Sequence, residues 1–115
     1  MNLCINFAMA RFGNKWALLV ILILSEHEKI RFNELRQLIP DISSRVLSGT
    51  LKTLETDALV LRTTYPTVPP KVEYQLTELG RSLVPIITQL TEWAQTNLKT
   101  IVTHRKEFEE KHQEE

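Results

Sequence analysis

From Trp16 to Leu24 the chain carries no polar side chain. An unbroken apolar run of that length reads as a helix in contact with neighbours on all sides, the central member of a small bundle. We place this helix from about residue 15 to residue 27. A short extended stretch follows at Ile30, Arg31 and Phe32. Asn33 then stands where it can cap a helix in which Leu35, Leu38 and Ile39 recur at helical spacing until Pro40 stops it. After a turn at Asp41 and Ile42, Ser43 is the expected N-cap of a helix over residues 44–57 with two unlike faces. Leu47, Leu51, Leu54 and Ala58 form its core stripe, and Arg45, Ser48, Gly49 and Lys52 fall on the opposite face with nothing apolar among them.

Two extended runs, residues 59–65 and 71–77, flank the proline-rich segment 66–70. Val72, Tyr74 and Leu76 alternate with Lys71, Glu73 and Gln75, which predicts a half-buried strand, and the two runs read as a hairpin. The prolines remove backbone donors and suit an exposed tip. Thr77 is the predicted cap of the last helix, where Leu79, Leu83, Ile86, Leu90, Trp93, Asn97 and Ile101 keep one face largely apolar. Pro85 is expected to kink or split this helix. Beyond residue 103 the sequence is mostly charged, so the reading divides the chain into a folded domain, 1–103, and a frayed tail, 104–115. The order helix, short strand, helix, turn, helix, two-stranded wing, long helix predicts a mainly α fold with a small β-hairpin wing, a winged helix-turn-helix.

Charge changes the functional picture in one respect. The formal net charge is zero, which argues against a protein that coats nucleic acid by charge alone, but the tail holds a surplus of acid and residues 1–103 are slightly basic. Position must therefore decide what the basic residues do. A small polar and basic face on a helix that follows another helix and a tight turn is what reading a major groove requires. On that reading Ser43 and Ser44 donate to phosphate at the helix N-terminus, Arg45, Ser48, Gly49 and Lys52 face the groove, and Arg62 and Lys71 carry the wing to the DNA backbone. The competing reading is a solvated helix face on a protein-interaction adaptor. Convergence of Arg45, Lys52, Arg62 and Lys71 favours DNA, and acidic residues among them favour the adaptor.

Other chemistry is sparse. One cysteine and three scattered histidines build neither an intrachain disulfide nor a zinc site, and no metal or cofactor is expected. No cysteine–histidine pair, no glycine-rich phosphate loop and no paired carboxylates outside the tail support an enzyme. The longest apolar run is about half of the ~20 residues that cross a bilayer, and no export signal opens the chain, so no membrane partner and a cytoplasmic location are expected. The stripe Ile86, Leu90, Trp93 and Ile101 exceeds what so small a core can cover and predicts a homodimer, with residues 1–12 contributing.

Specific words narrow the fold further. Gly13-Asn14-Lys15-Trp16 ahead of the apolar helix, Arg31-Phe32-Asn33-Glu34-Leu35, Ile42-Ser43, Leu47 with Leu51-Lys52-Thr53-Leu54-Glu55, and residues 65–77 with Gly80 together resemble the HxlR family of MarR-like bacterial regulators. The resemblance spans about residues 12–93. It implies dimers on palindromic operators that repress or activate neighbouring genes and, in several members, respond to electrophiles or oxidants through a cysteine; the inducer is left unassigned. Three departures from the family pattern stand out. Ala58 stands where the family commonly has Gly, and Gly49 and Thr50 stand where many members have larger polar or basic residues, so the reading face is leaner. The family cysteine is typically followed by proline and lies slightly farther from the tryptophan than Cys4 lies from Trp16. The family cysteine's role is thus not carried over to Cys4; by its place ahead of the first core helix, near the expected dimer seam, Cys4 is a candidate redox or electrophile sensor, or else a buried, inert residue among Leu3, Ile5 and Phe7.

Overall fold

The computed structural model describes residues 3–113, in the order α1 (Leu3–Phe12), α2 (Lys15–Ser25), β1 (Ile30–Arg31), α3 (Phe32–Leu38), α4 (Ser44–Thr56), β2 (Val60–Tyr65), β3 (Lys71–Leu76) and α5 (Glu78–Gln113). The chain divides between Val84 and Pro85 into two compact units.

In the first unit α2 begins where Asn14 Oδ1 accepts hydrogen bonds from the backbone N–H groups of Trp16 and Ala17. It buries Ala17, Val20, Ile21 and Leu24, whereas Leu19 is exposed and Trp16, Leu18, Leu22 and Ile23 are half-covered. The expected all-round burial is therefore met only in part: one face of the helix is fully buried, its flanks are half-covered, and Leu19 is left exposed among the described residues. Leu35 of α3, Ile39 and Ile42 of the turn, and Leu47, Leu51 and Leu54 of α4 complete the core with Leu59, Val60 and Leu76 of the sheet region.

Two caps differ in outcome. Asn33 does not cap α3; the helix starts at Phe32, and Arg31 is the N-cap without a side-chain bond. The reason is that Ile30 and Arg31 pair with Tyr74 and Glu73 in an antiparallel ladder, which fixes Arg31 as extended and leads the chain straight into the helix. At α4 the expectation holds, since Ser43 Oγ accepts from Val46 N at 3.1 Å.

The sheet order is β1-β3-β2, with Tyr65 opposite Lys71 at the wing end of the hairpin and Val60 opposite Leu76 at its base. Because β3 is the central strand, neighbours cover its polar positions as well as its apolar ones. Residues 71–75 are all half-buried, and the predicted alternation is absent.

Ala58 is not part of the core stripe. It is exposed in a left-handed conformation, φ 64°, just past the end of α4. Ala58 N donates to Glu55 O and Leu59 N to Leu54 O, the paired bonds of a Schellman corner, with buried Leu54 and Leu59 supplying its apolar contact. The corner locks onto the start of α5: Thr77 Oγ1 donates to Ala58 O at 2.7 Å and accepts from Gly80 N at 3.0 Å. A Cβ on Gly80 would lie 2.2 Å from Leu59 O, so only glycine fits this crossing.

The remainder of α5 forms the second unit. Helix is unbroken through Pro85, so the expected split does not occur; proline removes one donor and the turns on either side retain theirs. Helix also persists to Gln113, ten residues into the segment expected to fray. Charge there does not mean disorder, because Arg105, Lys106, Glu107, Glu109, Glu110 and Lys111 are strong helix formers. His104, Phe108 and His112 also stack in successive turns, with ring centroids 6.4 and 4.0 Å apart.

Residues 3–12, which carried no predicted element, form α1. Arg11 ties this helix to α4 through an ion pair with Asp57, whose backbone is the C-cap of α4, and stacks its guanidinium 5.1 Å from the Phe7 ring centroid.

Candidate nucleic-acid interface

The buried leucines of α4 turn its other side outward by simple helical spacing. Ser43, Ser44, Arg45, Ser48, Gly49 and Lys52 are all exposed, and Arg45 makes no ion pair among the described residues. Ser43 Oγ uses one lone pair on Val46 N and keeps its own proton free to donate outward.

One flank of α4 faces the sheet. There Ser48, Lys52 and Glu55 share a depression with Arg62 of β2 and Tyr74 of β3. Lys52 and Arg62 thus lie together as the sequence reading expects, and Arg62 is held by donating from Nη1 to Thr64 Oγ1 at 3.1 Å. Glu55 brings one carboxylate into the same depression. Lys71 is placed differently. Its ammonium pairs with Glu73 Oε1 at 3.3 Å and lies 5.2 Å from the Tyr65 ring centroid, so its charge is partly engaged within the wing.

The opposite flank faces the start of α2. A groove runs between Arg11, Asn14 and Ala17 on one side and Arg45, Val46, Gly49, Thr50 and Thr53 on the other. Thr50 is buried and donates to Val46 O at 2.8 Å, so it belongs beneath the exposed face and not on it. A larger residue at 49, by contrast, would meet open space, since no atom lies within 4 Å of a Cβ built there. The Arg11 guanidinium is held above its ordinary pKa chiefly by its hydrogen bond to the Asp57 carboxylate, an effect that desolvation partly offsets.

Two residues near these surfaces escape sequence reading. Lys29 donates from Nζ to Tyr65 Oη at 3.4 Å, which raises its pKa and adds a cation to the wing; the two residues lie 36 apart in sequence, and only the folded sheet brings them together. Val46, 40% exposed in the first turn of α4, is an apolar residue beside Arg45. Its helical angle relative to Leu47 and Leu54 was the available signal.

Elsewhere, Cys4 is exposed on α1, as are Leu3, Ile5, Phe7 and Met9, so the buried surroundings that would make the thiol inert are not found among the described residues. In α5, Ile86, Leu90 and Trp93 are exposed, Trp93 by 60%, and Ile101 is half-covered. Among the described residues no single helix is long and apolar enough to cross a membrane.

Residues 11–102 match the HxlR-like helix-turn-helix family. An uncharacterised HTH-type transcriptional regulator of Halalkalibacterium halodurans is 45% identical over 92 residues, covering 80% of this chain and 81% of that protein. The HTH-type regulator YybR of Bacillus subtilis is 41% identical over 101 residues, or 88% of this chain and 80% of its own. Among solved structures, the redox regulator HypR in its reduced form superposes with a TM-score of 0.78 at 40% identity, over 86% of this chain and 97% of that one. Reduced YodB of Bacillus subtilis, a transcriptional regulator, gives 0.72 at 35% identity, over 82% and 91%.

Proposed function

The chain belongs to the HxlR-like helix-turn-helix family, and from that premise we infer that it is a transcriptional regulator in which α4 reads duplex DNA. The observation that carries the reading is the division of α4 into a buried leucine stripe and an exposed face of Ser44, Arg45, Ser48, Gly49 and Lys52. Arg45 is the base-reading residue, since a free guanidinium near a recognition-helix N-terminus suits the paired acceptors of guanine. Ser43 and Ser44 hold phosphate at the helix N-terminus, and Lys52 and Arg62 meet backbone on the flank toward the wing. Lys71 orders the wing through Glu73 and Tyr65 and contributes to phosphate second. The carboxylates that favour an adaptor are Glu55, beside Lys52 and Arg62, and Glu73, on Lys71; Arg45 has no ion-pair partner among the described residues. The protein acts by binding and not by catalysis.

We further propose that it works in the cytoplasm as a homodimer on a palindromic operator, with the exposed apolar residues of α5 and α1 covered by a second copy. Selecting bound sequences from a random duplex pool with purified protein tests the whole reading. An inverted repeat with half-sites about 34 Å apart is the expected product. Arg45→Ala should weaken the selected operator by about 1 to 3 kcal/mol and random DNA by less. Equal losses on both would reassign Arg45 to phosphate, and no binding at low salt would refute the proposal.

Exposure of Cys4 favours a redox role alongside DNA binding, as does likeness to a protein described as a redox regulator. On this reading modification of Cys4 alters the spacing of the two reading helices and hence operator affinity. Diamide should then change the affinity of the wild type and leave Cys4→Ser unaltered; identical responses would remove Cys4 from the mechanism.

A further inference from the structure

We propose that Val46 and Gly49 form an apolar notch on α4 that receives the C5-methyl group of a thymine next to the base read by Arg45. The inference deepens the DNA-reading role of α4 and rests on it.

Four observations carry it. Val46 is a large apolar side chain, 40% exposed, in the first turn of a helix whose other outward positions are polar, serine, glycine or threonine. One turn later Gly49 has no side chain, and nothing lies within 4 Å of where its Cβ would be, so access to Val46 along the helix surface is unobstructed. The two threonines that border the notch have their hydroxyl protons engaged, Thr50 Oγ1 on Val46 O at 2.8 Å and Thr53 Oγ1 on Gly49 O at 3.1 Å. Across the groove stand Ala17, which is apolar, Asn14, whose Oδ1 already accepts from Trp16 N and Ala17 N, and Arg11, whose Nε is engaged by Asp57. The hydrogen-bond donors left on this groove are the Asn14 amide and the arginines at its edges, Arg45 with a free guanidinium, while the surface of Val46 and Gly49 between them is apolar.

The major groove presents donors, acceptors and only one strongly apolar feature, the thymine methyl. An exposed valine on a reading helix, flanked by a missing side chain, complements that feature and no other. Gly49 has a role on this account that its conformation does not demand: it keeps the approach open, at the cost of helix propensity in an exposed position. The leanness of the reading face is then a means of discrimination.

The test uses the full chain and a duplex selected by it from a random pool. Each thymine is replaced in turn by dU, which deletes only the methyl group, and affinity is followed by fluorescence anisotropy at fixed salt. We expect one symmetry-related pair of thymines at which each replacement weakens the wild type about fourfold, the effect of burying one methyl-sized group. Val46→Ala should bind the thymine and dU duplexes alike at that pair. Gly49→Leu, whose Cβ has open space in the folded chain, should also lose the distinction. Circular dichroism melts check that both variants are folded. If specific binding persists but no thymine responds, or if the response survives Val46→Ala, the notch is refuted while DNA reading stands. If selection yields no preferred sequence, the DNA-reading function itself fails and the notch with it.

Discussion

Ala58 and Gly80 sit on either side of one backbone crossing and make opposite demands on side-chain size. At φ 64° the Cβ of Ala58 is crowded against its own carbonyl, a cost of about 1 to 2 kcal/mol for a residue of L chirality. Glycine would relieve that crowding and lose some of the gain to its freer unfolded chain. Ala58→Gly is therefore expected to raise stability by about 0.5 to 1 kcal/mol, seen as a higher urea midpoint at unchanged slope. A lower midpoint would mean that the corner is not strained. Gly80→Ala should do the reverse, because its new Cβ would lie 2.2 Å from the Leu59 carbonyl oxygen and that backbone is fixed by the Thr77 bonds. A loss of at least about 1 to 3 kcal/mol is expected in the same assay. The sequence marked Ala58 as unusual through its departure from the family pattern, but nothing in the chain order placed Gly80 against Leu59. That contact joins residues distant in sequence and exists only once the hairpin has folded.

At the scale of elements, the link between α1 and α4 is the clearest case of a structural tie with a functional consequence. Arg11 and Asp57 form an ion pair that is neither fully exposed nor buried, with side-chain accessibilities of 27% and 17%. A pair of this kind contributes up to about 1 kcal/mol, so its removal should leave the protein folded. Asp57 is the C-cap of α4, however, and loosening it frees the reading helix at one end. A double-mutant cycle on Arg11→Ala and Asp57→Asn is expected to give a stability coupling below about 1 kcal/mol, and both single variants should bind the operator more weakly. Unchanged operator affinity in both would confine the pair to holding α1 in place. The sequence identified α4 well because its leucines recur at helical spacing and its outward positions are polar. It missed α1 because the exposed Leu3, Ile5, Phe7 and Met9 follow no helical stripe, and it ended α5 early by taking charged helix formers for a solvated coil.

For the whole molecule, the surface that matters is the one a single chain leaves uncovered. Ile86, Leu90, Trp93 and Leu98 are all exposed in α5, a set of large side chains that water alone would not favour. Trp93→Glu is expected to convert a sedimenting dimer into a monomer at micromolar concentration, with the helical content of the chain largely kept. A wild-type monomer under those conditions would count against the dimer. Because the net charge is zero, DNA affinity should come from a few local phosphate contacts and fall with salt, each contact adding about 0.9 to the logarithmic slope. Loss of Lys52 should reduce that slope by about one unit. An unaltered slope would place Lys52 away from the backbone.

By itself the sequence determined the order of the elements from α2 onward, the winged helix-turn-helix class, the family and the leucine stripe and polar face of α4. Those features depend on periodicity and local caps, such as Leu47, Leu51 and Leu54 at helical spacing and Ser43 ahead of Val46, which the chain encodes within a few residues. Only the tertiary structure decided that Lys71 pairs with Glu73 inside the wing, that Lys29 reaches Tyr65, that Thr50 lies under the reading face, and that Val46 opens onto a groove beside Ala17. Each of these turns on which side of a strand or helix meets which neighbour. Strand register and helix packing set those meetings, and they join residues that no local rule connects.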